Sequence, residues 1–215
     1  MAEKMTALIF GAVPSGNWEF LKTACPQPDL VICADGGIRC ARAAGYEPGL
    51  AVGDWDSGGS PIDGVESVTL PVGKDLTDLQ AGAMLALEWG IRRIIFCACI
   101  GGRLDQTAAN LGLLEWVHDR GGESFLLDAG NEVRFWDGAP LTLKRDSHYQ
   151  FLSIIPLDRT VMGVTLRGVK YPLDNGTLTR GDTLSVSNEI TGPEARISAQ
   201  SGRMLLIRSQ KRNWN

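Results

Sequence analysis

One unit recurs through the first 130 residues and constrains the fold more than any other feature. It is a short apolar run, then a polar cluster rich in Gly and Asp, then a helical pattern. The runs at residues 6–10, 30–34, 50–52, 67–70, 93–98 and 124–127 are rich in Val, Ile, Leu and Phe and too short for helices. Apolar runs of this length and composition read as β-strands. Helical patterns occupy residues 17–24, 37–44, 78–89 and 106–120. Strands alternating with helices predict an α/β half, with four or five of the strands parallel. Thr77 offers a cap to the third helix, Asp78 suits the positive end of its dipole, and Gly90 follows its end. Leu79, Ala83, Ala86 and Leu87 recur along it at the spacing of one packed face.

After residue 130 the helical patterns stop. Residues 131–136, 141–143, 150–155, 161–167, 183–187, 195–199 and 204–208 form short strand patterns, separated by turn clusters such as Asp174-Asn175-Gly176 and Thr191-Gly192-Pro193. That spacing predicts a small antiparallel sandwich or barrel. The expected organisation is an α/β half over 1–130, a Rossmann-like parallel sheet with flanking helices, followed by a small antiparallel sandwich or barrel over 131–215.

The composition narrows the partners. With 215 residues and 44% hydrophobic content the chain can bury a substantial core. A net charge of −4 argues against wholesale nucleic-acid binding, so an anionic ligand must be gripped by local groups and metal ions. Five cysteines, with no C-x-x-C pair and no neighbouring histidine, read as buried thiols of a reducing compartment and not as a zinc site. No stretch approaches the length of a membrane span, and the apolar segment at 5–13 fits a first buried strand better than a secretory leader. The expectation is a cytoplasmic protein. His118 and His148 read as surface groups, and Trp18, Trp89, Trp116 and Trp136 as core or rim packing. Trp55 shares that reading, with the added option of lining a site.

Four polar clusters fall just after a strand or at the start of a helix, where a parallel sheet gathers its ligands. Asp35-Gly36-Gly37 allows close backbone approach and anion binding, or is simply a capped turn. In Gly53-Asp54-Trp55-Asp56-Ser57, two carboxylates one residue apart can address a hard cation such as magnesium, against the alternative of a polar Asx loop. Lys74-Asp75-Leu76-Thr77-Asp78 offers a phosphate contact and a further metal ligand, or a charged, capped helix start. Gly101-Gly102-Arg103-Leu104-Asp105-Gln106 combines paired glycines, an arginine and a helix N-terminus into a phosphate cradle, unless Arg103 only pairs with Asp105.

Taken in this order and spacing, the four clusters resemble the motifs of the thiamine pyrophosphokinase family, and Ser187-Asn188-Glu189 resembles its short Ser-Asn segment. The resemblance covers nearly the whole chain. It implies a thiamine diphosphokinase that uses ATP and Mg2+, releases AMP, and works as a homodimer with active sites between subunits. It also implies that Asp54, Asp56 and Asp78 hold the metal, and that Arg103 and Asp105 engage the phosphates. Asp35, Gly36, Gly37, Lys74, Thr77 and Gln106 would contribute to nucleotide binding, with Ser187 and Asn188 beside thiamine. The alternatives are a pterin pyrophosphokinase, against which the β half argues, a metal-dependent phosphohydrolase, and a non-catalytic nucleotide or thiamine binder.

Overall fold

The computed structural model describes residues 5–54, 64–71 and 75–211, which divide into two compact units, Met1–Ala129 and Gly130–Asn215. The first unit carries β1 (Thr6–Phe10), α1 (Glu19–Ala24), β2 (Leu30–Ala34), α2 (Gly37–Ala43), β3 (Leu50–Gly53), β4 (Glu66–Thr69), α3 (Asp78–Glu88), β5 (Arg93–Cys97), α4 (Leu104–His118) and β6 (Glu123–Leu127). All six strands pair in parallel, in the order β4-β3-β2-β1-β5-β6, so the sheet is more uniformly parallel than expected.

Alternate strand residues feed two cores. Leu8, Phe10, Cys33, Ile95, Cys97 and Leu127 cluster with Leu21 of α1 and Ile38, Cys40 and Ala41 of α2. Between those positions Ile9 and Ile32 meet α3, where an ideal Cβ on Gly82 would lie 3.2 Å from Ile32 Cγ2 and 3.6 Å from Ile9 Cγ2. Covering both faces explains why residues 7–10, 30–34, 94–97 and 125–127 of β1, β2, β5 and β6 are apolar without interruption. Thr77 caps α3 as the sequence predicts, its Oγ1 accepting from Gln80 N at 3.2 Å. The fourth helix begins two residues earlier than predicted, at Leu104, directly on the Gly101-Gly102-Arg103 loop.

The second unit is wholly antiparallel. β13 (Met204–Ser209) lies between β7 (Asn131–Trp136) and β9 (Phe151–Pro156). The other sheet has the order β11-β10-β12-β8, built from β8 (Leu141–Lys144), β10 (Thr160–Arg167), β11 (Leu173–Thr179) and β12 (Glu194–Ser198). One cluster takes Trp136, Leu152, Ile154 and Met204 from the first set and Val161, Val164, Leu178 and Ile197 from the second.

Two sequence expectations fail here. Residues 183–187 form turns and bends instead of a strand, and Asp174-Asn175-Gly176 lies inside β11 instead of ending it. The turn chemistry is expressed as an irregularity: Asn175 takes φ +52°, and the β10–β11 register shifts on both sides of the Val164–Gly176 pair.

The five cysteines are all buried and free, and His118 is exposed. Trp136 is buried and Trp18 packs edge-on to Phe10, whereas Trp89 is 49% exposed and fills no core. Among the described residues no helix is long and apolar enough to cross a membrane.

Candidate active site

Chain order and strand order disagree at one place in the parallel sheet. From β1 the chain moves through β2 and β3 to β4 on one side, then returns to place β5 and β6 on the other. Beyond these neighbouring strands the chain leaves β1 for α1 and β5 for α4, and such a switch point opens a crevice. A cavity of about 300 Å3 lies there, lined by Gly11, Val13 and Pro14 after β1, Leu79 of α3, Ala98 and Cys99 after β5, and Arg103, Gln106 and Asn110 of the α4 entrance.

The loops are fastened to each other and to the helices. Gly11 N donates to Cys97 O at 2.9 Å and Val13 N to Ala98 O at 2.8 Å, extending the β1–β5 contact beyond the strands. Two glycines make the approach possible: an ideal Cβ would lie 2.5 Å from Ala98 O at Gly11 and 2.2 Å from Phe10 O at Gly37. Left-handed backbone concentrates at the same edge, at Asp35 (φ +45°), Ala98 (+56°), Gly101 (+105°) and Gly102 (+67°). For Asp35 and Ala98 this conformation costs on the order of 1–2 kcal/mol each, which the surrounding bonds must offset.

All the predicted residues of this unit that are described lie at that carboxyl edge. Asp35 ends β2, its N–H donating to Val52 O at 2.8 Å, and leads through Gly36 into Gly37 at the start of α2. Asp54 directly follows β3 and is half-buried. Thr77 and Asp78 open α3. Arg103, Asp105 and Gln106 open α4. Arg103 and Gln106 line the cavity itself, whereas Asp35, Asp54 and Asp78 stand outside its wall. Asp56 and Lys74 lie outside the described residues. Among the described residues no three His, Cys, Asp or Glu side chains gather as a metal cluster.

Arg103 and Asp105 do pair, Nε to Oδ1 at 3.1 Å and Nη2 to Oδ2 at 2.6 Å, while Asp105 Oδ1 also accepts from Gln106 N at 2.9 Å. The hydrogen bond from Arg103 holds the Asp105 carboxyl below its usual range and raises the guanidinium in turn. Both side chains are exposed, so the pair adds little stability; it orients the guanidinium and leaves the Nη1 donors available to an anion.

Three residues that carried no charge signal belong to this structure. Gly11 is one. Thr107 is another: its Oγ1 accepts from Gly101 N at 3.2 Å and lies within reach of Arg103 O at 3.2 Å, stapling the loop to α4. Asn110 is the third, 7% exposed, with Nδ2 donating to Cys99 O at 2.9 Å. It shares a helix face with Leu113, Leu114 and Val117, so a polar residue on an apolar stripe was the available signal.

Ser187 and Asn188 belong to the second unit. Ser187 is exposed with φ +60°, its N–H donating to Ser153 Oγ at 3.0 Å. Asn188 is buried, with Nδ2 donating to Tyr171 O at 2.7 Å and Oδ1 accepting from Tyr171 N at 3.0 Å and Glu189 N at 2.9 Å.

Known proteins match along both units. The profile of the thiamin pyrophosphokinase catalytic domain matches residues 21–126, and that of the thiamin pyrophosphokinase vitamin B1 binding domain matches residues 140–204. Thiamine pyrophosphokinase of Bacillus subtilis is 31% identical over 140 residues, which are 63% of this chain and 64% of that relative, just under two thirds of its length. The crystal structure of thiamine pyrophosphokinase from Bacillus subtilis gives a TM-score of 0.85 at 27% identity, over 96% of this chain and 100% of that one. Thiamin pyrophosphokinase from Geobacillus thermodenitrificans gives 0.84 at 30% identity, over 96% and 98%. With both domain profiles matched in sequence order and a neighbour matched over nearly its whole length, the chain belongs to the thiamin pyrophosphokinase family.

Proposed function

We propose that this protein is a thiamine diphosphokinase: the hydroxyl oxygen of thiamine attacks the β-phosphorus of ATP, the bond from that phosphorus to the α–β bridging oxygen breaks, and AMP leaves with the bridging oxygen. The hydroxyl proton is lost, and thiamine diphosphate is the other product. The observation that carries this reading is the meeting of motif-bearing loops from β2, β3 and β5 at one sheet edge, beside the switch-point cavity. A vitamin B1 binding match in the second unit favours thiamine as acceptor and leaves the pterin and hydrolase alternatives without support.

In this reading residues 1–130 form a Rossmann-like catalytic domain for ATP and magnesium, and residues 131–215 a β-sandwich that binds thiamine. The Gly101–Arg103 loop and the α4 N-terminus bind phosphate oxygens, Arg103 through its free Nη1 donors and Asp105 by orienting that guanidinium. Gln106 adds a polar contact from the cavity wall, and Lys74 is a further cation for the phosphates. Asp35, Gly36, Gly37 and Thr77 fix the neighbouring backbone, so that binding requires little rearrangement. The carboxylates of Asp54 and Asp78 are hard oxygen donors at one sheet edge, a donor set that fits magnesium; with Asp56 they would hold it. Magnesium supplies neutralisation of the triphosphate charge. Asn188, committed to Tyr171 and Glu189, presents Ser187 toward thiamine. A cytoplasmic homodimer completes the proposal.

The test is incubation with thiamine, ATP and magnesium, followed by product identification. Equimolar thiamine diphosphate and AMP, abolished by a chelator, is the expected result; ADP with thiamine monophosphate, or phosphate release without thiamine consumption, overturns it. Asp78→Asn should lower kcat more than tenfold while the fold survives, and near-normal turnover would remove Asp78 from the metal site.

A further inference from the structure

The cavity at the switch point contains one polar group whose bonding is half finished. Asn110 is more than nine-tenths buried, and its Nδ2 donates to Cys99 O. A carbonyl oxygen only accepts, so the amide must present its NH2 there and the flip of the side chain is fixed. Oδ1 is therefore a fixed acceptor, and among the described residues it has no hydrogen-bond donor. Val13, Pro14, Leu79 and Ala98 form the apolar part of the cavity wall. Oδ1 is not among the fully buried atoms that lack a partner, so it faces the cavity, where a ligand donor can take the place of water.

We infer that Asn110 is a specificity-determining residue, whose Oδ1 accepts a hydrogen bond from a donor group on the nucleoside half of the diphosphate donor. Position along α4 selects that half. Arg103 and the helix N-terminus take the anionic end of the ligand. Gln106 and Asn110, four residues apart, follow on one face, about 6 Å separating them along the axis. A molecule anchored by its phosphates at the helix N-terminus reaches Asn110 with its uncharged portion. Two groups on adenosine have the required chemistry, the 6-amino group and a ribose hydroxyl, and the test separates them. The inference rests on the nucleotide occupying this cavity, as proposed above.

The experiment is a cycle between protein and ligand. Nucleotide kcat/KM is measured for wild type and Asn110→Leu with ATP, with purine riboside triphosphate, which lacks the 6-amino group, and with 2′-deoxy and 3′-deoxy ATP. Wild type should lose about tenfold with one of these analogues. Asn110→Leu should lose about tenfold with ATP and nothing further with that same analogue, while the KM for thiamine stays constant. Asn110→Ser, smaller than the native residue, repeats the cycle if the leucine variant does not fold. Equal losses in wild type and variant with every analogue, or an effect confined to thiamine, overturns the inference. If wild type forms thiamine diphosphate from ATP and the cycle shows no coupling, only this inference falls. If wild type neither turns over nor binds nucleotide by calorimetry, the functional proposal falls with it.

Discussion

Replacing Gly37 by Ala tests the claim that the candidate site depends on backbone meeting backbone. Gly37 does not need an unusual conformation; it needs the absence of a side chain. A Cβ there would lie 2.2 Å from Phe10 O, 2.9 Å from Phe10 C and 3.2 Å from Gly11 O. Restoring an ordinary 3.4 Å contact with Phe10 O requires the start of α2 to retreat from β1 by about 1.2 Å. Neither partner can yield by a rotamer change, because the obstructing atoms are main chain in a fully buried strand. Moving α2 would also loosen Ile38, Cys40 and Ala41 against Phe10 and Cys33. Overpacking of this kind costs about 1–3 kcal/mol. For a chain of this size that is a fall of about 2–12 °C in melting temperature. Because Asp35 and Gly36 lead directly into the displaced helix, the KM for ATP should rise with it. The assay is thermal unfolding by circular dichroism beside steady-state kinetics. An unchanged melting temperature and an unchanged KM would refute the close-approach reasoning.

Other perturbations follow from the same structure. Gly112→Ala should raise stability by about 0.5–1 kcal/mol, since Gly112 lies inside α4 with nothing within 4 Å of an added Cβ, and a lowered urea midpoint would contradict this. Thr107→Val should raise the KM for ATP about two- to tenfold by releasing Gly101, with Thr107→Ser near wild type; equal effects of the two would show that the hydroxyl is not the fastening. Burial holds the Cys33 thiol up to about 12, pushes Cys97 well above its ordinary value, and raises Cys99 strongly as well. Above about pH 9 the unfolded chain releases these protons while the folded chain keeps them, so stability is complete below that pH and declines as pH rises. Three such thiols give a slope of about 4 kcal/mol per pH unit, and a urea midpoint that stays level from pH 9 to pH 10 would exclude it.

The parallel half was legible because its central strands have no solvent face, so residues 7–10 and 94–97 are apolar by necessity and the polar clusters beyond β2, β3 and β5 mark the carboxyl edge. In the β half the signals compete. Residues 183–187 alternate like a half-buried strand, yet Leu184 and Val186 remain 64% and 41% exposed and only Asn188 bridges to Leu152. Asp174-Asn175-Gly176 carries the strongest hairpin turn signature, but the pairing of β11 with β10 absorbs its left-handed residue as an irregularity. In the candidate site the charged motifs were visible, whereas Gly11 and Asn110 were not. Gly11 contributes a contact distance, which residue type does not state, and Asn110 showed only as a polar residue on the apolar stripe of α4.

Asn188 gives two irregular stretches a common fate. It clasps both the N–H and the carbonyl of Tyr171, while Lys170 N donates to Glu189 O and Thr191 N to Gly168 O. Neither stretch has a strand ladder of its own, so neither can open without breaking bonds held by the other. Residues 168–171 and 188–191 should therefore behave as one cooperative unit, with slow amide hydrogen exchange where their loop geometry alone would suggest rapid fraying.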